Sequence, residues 1–150
     1  MDDMKVIPPS DEVLSRIREA KKTGTTELNL DHHQISDITS LTGLTKLEAL
    51  HLSENQITYI TPLTGLTKLN MLDLGNNQIS DLTSVEGLIN LETLYFDDNK
   101  ITDLSPLAKL TNLKLLDLYE NQVADITPLE GLINLTNLYL YRNRITDISP

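Results

Sequence analysis

The sequence predicts an α/β solenoid, in which short coils of chain stack and each contributes one strand to a curved parallel β-sheet. Leucines recur every 22 residues without insertion, at Leu28, Leu50, Leu72, Leu94, Leu116 and Leu138. Residues around each leucine alternate between apolar and polar, as in a strand with one buried face. An amphipathic segment precedes the first repeat and fits a helix that covers the open end of such a stack.

The segment before the repeats predicts a helix that begins after Ser10. Ser10 is a favourable N-cap residue, two acidic residues follow it, and two lysines lie shortly before Gly24, where the helix is expected to end. Three apolar residues fall on one face of this helix: Val13, Ile17 and Ala20. We expect that face to cover the core below the first repeat. The alternative interpretation is an amphipathic helix that binds a partner.

Each repeat places an asparagine five residues after its first leucine, where the chain leaves the strand and bends inward. This ladder comprises Asn55, Asn77, Asn99, Asn121 and Asn143. A side-chain amide can both donate to and accept from backbone groups that a buried turn leaves unpaired. The ladder is therefore predicted to be structural.

The second part of each repeat predicts a return path with a short helical turn on the outside. Apolar residues such as Ile57 and Ile60 point inward, and a motif of the type Asp-Ile-Thr-Pro-Leu places Pro or Ser near the start of the turn. A glycine column follows and is expected to relieve the backbone at the next bend: Gly43, Gly65, Gly87 and Gly131.

The units "LHLSENQITYITPLTGLTKLNM" and "LDLGNNQISDLTSVEGLINLET" resemble leucine-rich repeats, specifically the 22-residue class of bacterial internalins and of eukaryotic phosphatase-regulatory repeat proteins. The resemblance runs from about Leu28 onward, and the segment before it resembles the helical cap of many bacterial domains of this kind. We expect residues 1–27 to form this cap. Residues 28–150 are expected to form five complete repeats and a truncated sixth, within one structural domain. The resemblance implies a concave face that holds a protein partner.

Composition narrows the classes of function. The chain has no cysteine, three histidines near its N-terminus and a formal charge of -10, which repels nucleic acid and anionic lipid and favours a basic partner. His51 lies near Asp31 and Asp73 but without the convergent spacing of a metal site. We therefore expect no enzyme activity, no cofactor and no metal. The N-terminus lacks the pattern of a signal peptide, which leaves a cytoplasmic protein or a secreted one that is part of a longer chain.

The positions that the repeat leaves free gather aromatic and acidic residues on the concave face of the later repeats. Tyrosine is enriched at binding hot spots, and neighbouring carboxylates select a basic partner. The predicted partner-binding residues are Tyr95, Asp97, Asp117, Tyr119, Tyr139 and Tyr141. The alternative is that these tyrosines only pack across strands while the acids keep the face soluble.

Two other functions stay open from the sequence. The chain is alternatively a regulatory or targeting segment of a larger enzyme, such as a phosphatase regulator or a GTPase-linked array, or a structural or engineered repeat scaffold. Tyr59 replaces an aspartate of the turn column and has no role in any of these hypotheses. Asn134 matches a glycosylation pattern, which we attribute to chance because it falls in a repeat column.

The sixth repeat is apolar and has no polar cap above it in the sequence. Leu138, Leu140, Ile145 and Ile148 are expected core residues of this repeat. An apolar solenoid end in water promotes aggregation. We therefore expect either that the chain is cut from a longer array or that two copies associate end to end through this repeat.

Overall fold

The computed structural model describes residues 6–148 and shows a solenoid built on a six-stranded parallel sheet whose strands follow chain order. The strands are β1 (Glu27–Asn29), β2 (Ala49–His51), β3 (Met71–Asp73), β4 (Thr93–Tyr95), β5 (Leu115–Asp117) and β6 (Asn137–Tyr139). The central leucine of each strand pairs with that of the next, so the register repeats with the 22-residue period. The predicted α/β solenoid is confirmed.

The N-terminal helix α1 (Asp11–Thr23) begins and ends where the sequence predicts. Ser10 Oγ accepts a hydrogen bond from the Val13 N–H at 3.3 Å, and Gly24 adopts a left-handed conformation with φ +66°. The Gly24 N–H donates to the Ala20 carbonyl at 2.9 Å, which closes the last turn. Val13, Ile17 and Ala20 are buried in the core that the repeats form, so α1 packs on the solenoid. No helix within residues 6–148 is long and apolar enough to cross a membrane.

The core is one continuous stack of leucines and isoleucines, with Phe96 as its largest fully buried side chain. Each of the first five coils returns through a three-residue 3-10 helix on the face opposite the sheet, as the sequence predicts. These helices are Thr39–Leu41, Thr61–Leu63, Thr83–Val85, Ser105–Leu107 and Thr127–Leu129. Side chains at the third position of each helix, such as Leu63 and Leu107, are buried. A coil alone cannot bury these residues, but neighbouring coils cover one another.

The asparagine ladder joins each repeat to the one before it. The Asn99 amide nitrogen donates to the carbonyls of Leu74 at 2.9 Å and of Phe96 and Asp97 at 3.1 Å each. Its oxygen accepts from the Ile79 N–H at 2.9 Å. The other four asparagines also connect neighbouring repeats: Asn55, Asn77, Asn121 and Asn143. Four ladder residues are buried, whereas Asn143 is half-buried.

The residue before each of the five ladder asparagines adopts the left-handed helical conformation, and so does His32, which precedes His33 at the equivalent position of the first repeat; none of these six residues is glycine. The φ angles lie between +49° and +60° for His32, Glu54, Asn76, Asp98, Glu120 and Arg142. Left-handed backbone is unfavourable for most L-residues, so the hydrogen-bonded turn must hold it in place. Residue types alone do not reveal this column, because few of its members, chiefly asparagine and aspartate, commonly accept such angles.

The glycine column behaves differently from the prediction. Of its four members only Gly43 has a positive φ, at +87°, and a Cβ added at Gly65, Gly87 or Gly131 would meet no atom within 4 Å. The bend therefore does not require glycine at those three positions. The unusual backbone conformation that we expected at these glycines occurs instead at the residues with positive φ described above.

Aspartates cap the 3-10 helices on the outer face. Asp103 Oδ1 accepts from the Ser105 N–H at 2.8 Å and from the Ser105 hydroxyl at 2.6 Å. These bonds favour the carboxylate, so the hydrogen bond from the hydroxyl, and then that from the backbone, lowers the pKa of Asp103. The same arrangement lowers the pKa of Asp37, Asp81 and Asp125. Tyr59 occupies the corresponding position in the second repeat and carries no carboxylate.

Replacing Asn99 by leucine should lower the free energy of unfolding by on the order of 1–3 kcal/mol, because it leaves buried backbone groups of two repeats without partners. Urea unfolding followed by circular dichroism measures the loss. Asn143→Leu is the matched control, and its loss should be smaller because water reaches its half-buried surroundings. Equal losses in the two variants would contradict a role that depends on burial.

The aspartate caps should stabilise the fold at neutral pH and lose this effect in acid. A folded-state pKa below the unfolded value of about 3.9 contributes stability above that pH, and the contribution disappears as the pH falls through the folded pKa. The triple variant Asp81→Asn, Asp103→Asn, Asp125→Asn removes the titration while it keeps an acceptor oxygen at each cap. We expect its melting temperature to lie below that of the parent chain near pH 7, and the two temperatures to converge below about pH 4. A constant difference across this range would contradict the prediction.

Candidate functional site

The concave face is the exposed side of the sheet, and it carries all six residues predicted to bind a partner. Within a strand the central leucine is buried, and the residues on either side of it face outward. The pairing register aligns Tyr95 with Asp117, and Asp117 with Tyr139, on three adjacent strands. Neighbouring strands in a sheet lie about 4.8 Å apart. The three side chains therefore form one row across β4, β5 and β6.

Tyr119 and Tyr141 form a stacked pair just beyond the ends of β5 and β6. Their ring centroids are 6.0 Å apart, and the ring planes are inclined by 21°. Tyr141 is 73% exposed and Tyr139 is 48% exposed, whereas Tyr119 is half-buried. A large aromatic surface thus faces solvent at this end of the concave face. Such a surface is costly to leave exposed and favourable to bury against another molecule.

Arg142 lies against this tyrosine pair, which the sequence did not predict. Its guanidinium carbon is 5.7 Å from the centroid of Tyr119 and 6.0 Å from that of Tyr141. The same guanidinium donates to Glu120 Oε2 at 3.2 Å. The distances are those of a cation–π contact, so a cation of this chain already occupies part of the aromatic surface. Repeat periodicity places Arg142 beside Glu120 but does not show that its side chain turns toward the rings.

Three carboxylates lie close together beside the tyrosines. Burial is the main cause that raises the pKa of Asp97, followed by repulsion from Asp117 and Asp73. Burial also raises the pKa of Asp73, and its hydrogen bond from the Gly75 N–H opposes the shift. Two of these residues, Asp97 and Asp117, belong to the predicted site, and the structure adds Asp73. We refer to Asp73, Asp97 and Asp117 as the acidic cluster.

Gly75 allows Asp97 to lie close to the neighbouring strand. A Cβ built on Gly75 would stand 2.5 Å from Asp97 Oδ1, which is too close for any side chain unless the carboxylate moves. The φ angle of Gly75 is not positive, so its turn does not require glycine. This glycine thus makes room for a charge, a role that spacing along the sequence cannot reveal.

The other residues singled out in the sequence have structural partners. His51 Nε2 lies 3.5 Å from Glu27 Oε1 on the adjacent strand. Within residues 6–148, no group of three or more His, Cys, Asp or Glu side chains has a geometry that could hold a metal ion. The Asn134 side-chain nitrogen donates to the Thr111 carbonyl at 2.8 Å. Asn90 and Asn112 donate in the same way to Thr67 and Ile89 of the preceding repeats, which defines a second asparagine ladder that we did not predict.

Comparison with known proteins supports the structural description. The family model described as Leucine Rich repeats (2 copies) matches residues 45–87, 89–131 and 111–150. A comparison with curated protein sequences found no significant match.

Three solved structures are similar to the chain. Internalin C2 of Listeria monocytogenes is 40% identical over 83% of this chain and 55% of its own, with a TM-score of 0.82. An internalin, InlF, of the same species is 43% identical over 78% of this chain and 35% of its own, with a TM-score of 0.76. A leucine-rich repeat protein of Leptospira interrogans is 30% identical over 85% of this chain and 35% of its own, with a TM-score of 0.77.

The matches cover 55% or less of each of these three structures, so the chain spans about half of internalin C2 and about a third of the other two. The chain itself has a 22-residue repeat, a sheet of parallel strands and short turns on the outer face, the architecture of a leucine-rich repeat solenoid. The family model covers more than half of the chain. The protein therefore belongs to the leucine-rich repeat family, and its similarity to the two Listeria internalins makes it internalin-like.

Proposed function

We propose that the chain is a noncatalytic protein-recognition module that binds a polypeptide partner on its concave face. The partner-binding surface consists of Tyr95, Asp97, Asp117, Tyr119, Tyr139 and Tyr141. The observation that carries the proposal is the stack of half-buried Tyr119 on exposed Tyr141, joined to the acidic cluster by the hydrogen bond from the Tyr119 N–H to Asp117 Oδ1. Leucine-rich repeat proteins generally act as protein-interaction modules, which supports both the class of partner and the absence of catalysis.

The tyrosines supply the apolar part of the proposed interface. Tyrosine combines a rigid, flat ring with a hydroxyl that can form a hydrogen bond, so it gains contact area at a small entropic cost. Tyr141 and Tyr139 are exposed, and both lie on the last coil of the sheet. A partner that covers these rings would bury apolar surface that the fold itself leaves in water.

The acidic cluster would make the proposed surface prefer a positively charged partner. Asp73 and Asp97 are partly buried next to like charges, so desolvation and repulsion both oppose their ionisation. A lysine or arginine of a partner would relieve that repulsion. Because Arg142 already contacts both rings of the tyrosine pair, we expect a partner cation to approach the acidic cluster and not the rings.

Selection from a displayed library of random peptides tests the proposal, with the selected peptides as the probes. The double variant Tyr119→Ala, Tyr141→Ala should bind these peptides more weakly by about 2 kcal/mol or more, because it removes two hot-spot side chains. We expect the peptides to be rich in lysine and arginine. Asp97→Asn should weaken their binding as well, since it removes a negative charge from the cluster. Isothermal titration calorimetry measures each affinity.

The matched control is Tyr59→Ala, which removes an exposed tyrosine from another face. Thermal unfolding should show that all variants keep the fold. Peptides that bind the parent chain and the double variant equally would contradict the assignment of the concave surface. Failure to select any peptide would favour a structural scaffold without a ligand.

We further propose that a second copy of the chain associates with the sixth repeat. Leu138 is 40% exposed and Ile148 is 79% exposed on this coil, and Leu140 and Ile145 are only partly buried. The variant Leu138→Glu, Ile148→Glu places charges on this apolar edge and should prevent association. Sedimentation velocity over a range of concentrations should show a dimer of the parent chain and a monomer of the variant. A parent chain that stays monomeric at every concentration would contradict the proposal.

A further inference from the structure

A second candidate site lies on the outer side of the first three repeats, away from the concave sheet. It is an open groove with a volume of about 1120 Å³, slightly above the usual range for ligand clefts. Its walls come from the return segments of successive repeats and from the chain that precedes α1. That preceding chain is fixed to the first repeat, because the Ile7 N–H donates to Ser36 Oγ at 2.8 Å and the Ile7 carbonyl accepts from the same hydroxyl at 3.3 Å.

Tyr59 lies in this groove, and the fold gives no reason for its presence. The same position in the first, third, fourth and fifth repeats is the aspartate that caps a 3-10 helix, as in Asp37 and Asp81. Tyr59 is 70% exposed, so it contributes little to the core. The second repeat thus exchanges a structural carboxylate for an exposed aromatic ring at a place where the outer surface forms a large groove.

The polar groups of the groove are mostly uncharged. Among the lining residues within 6–148 the only ionised side chain is Asp37, and its Oδ1 already accepts from the N–H and the hydroxyl of Thr39 at 2.9 and 2.6 Å. Lys100 reaches the rim, where its Nζ lies 3.5 Å from Gln78 Oε1. The walls otherwise present threonine hydroxyls and glutamine amides, which donate and accept hydrogen bonds, together with apolar side chains such as Val6, Ile7 and Pro62. A neutral ligand matches this lining better than an ion does.

The backbone of the groove walls is not available to an added strand at two central points. The Gln56 N–H donates to the Ile35 carbonyl, and the Gln78 N–H donates to the Ile57 carbonyl, each at 2.9 Å. A polypeptide that binds by strand addition needs such groups unpaired. Strand addition is therefore disfavoured at these two points, which leaves the side chains of the walls for recognition.

We propose that this groove binds a neutral oligosaccharide. A sugar ring has an apolar C–H face that can stack on Tyr59, and its hydroxyls can pair with side chains such as Gln56, Thr58 and Gln78. This combination of one aromatic platform and several uncharged donors and acceptors is what an uncharged, hydroxyl-rich ligand requires. The proposal is independent of the concave surface and of its polypeptide partner.

Four neutral hexasaccharides serve as probes: those of α-linked glucose, β-linked glucose, β-linked mannose and β-linked N-acetylglucosamine. Titration of the isotope-labelled full chain, followed by amide chemical shifts, should show saturable binding of at least one probe. The shifted amides should lie around Tyr59. Tyr59→Asp restores the consensus residue of the turn and is therefore expected to fold, and it should weaken binding at least about tenfold.

Two further variants separate stacking from other effects. Tyr59→Phe keeps the ring and should retain most of the affinity, and Tyr141→Ala changes the concave face and should leave the sugar affinity unchanged. The proposal is overturned if no hexasaccharide binds at millimolar concentration, or if Tyr59→Asp binds as tightly as the parent chain. Displacement of the shifts by a proline-rich peptide at a lower concentration than any sugar would also overturn it, in favour of a peptide groove.

Discussion

The hydrogen bonds of the asparagine ladder are the constraint on which the rest of the solenoid depends. A chain that turns back inside an apolar stack would leave backbone groups without partners, and each ladder asparagine pairs several of them at once. Because every amide bonds to two successive repeats, it fixes both the turn and the spacing between coils. The strand register follows from that spacing, and so does the alignment of the outward side chains into columns.

The periodic residues could be predicted from the sequence because each of these positions has the same surroundings in every repeat. The buried leucines, the asparagines and the caps of α1 depend on neighbours at fixed distances along the chain, so spacing alone identifies them. The left-handed column could not be found in this way. Glu54 and Glu120 have no preference for such backbone, and the turn imposes it on whatever residue stands there. The prediction for the glycine column was wrong, because a residue type that recurs at one position of the repeat need not mark a strained conformation.

The candidate site was only partly predictable. Alternation and period bring Tyr95, Asp117 and Tyr139 to one row, and the structure places them so. The contact of Arg142 with the tyrosine pair and the approach of Asp97 to Gly75 depend on side-chain rotamers across repeats, which no spacing determines. In a regular repeat protein, the features that are particular to one chain lie at positions that depart from the consensus or that the repeat leaves free. Tyr59 replaces a consensus aspartate, whereas Gly75 lies in a column that the repeat leaves free, and the two lie on opposite faces of the same solenoid.

The ladder also has a direction. The oxygen of Asn99 accepts from Ile79 and its nitrogen donates to Leu74, so the turn of one repeat is completed by a residue of the next. During synthesis on the ribosome the N-terminal end emerges first, and domains fold as their chain becomes available. We therefore expect the turn of a newly synthesised coil to close only after about one further repeat has been synthesised. Folding of the nascent protein consequently lags its synthesis by about one coil. A translational pause at this stage would leave the turn of the last coil without its asparagine partner.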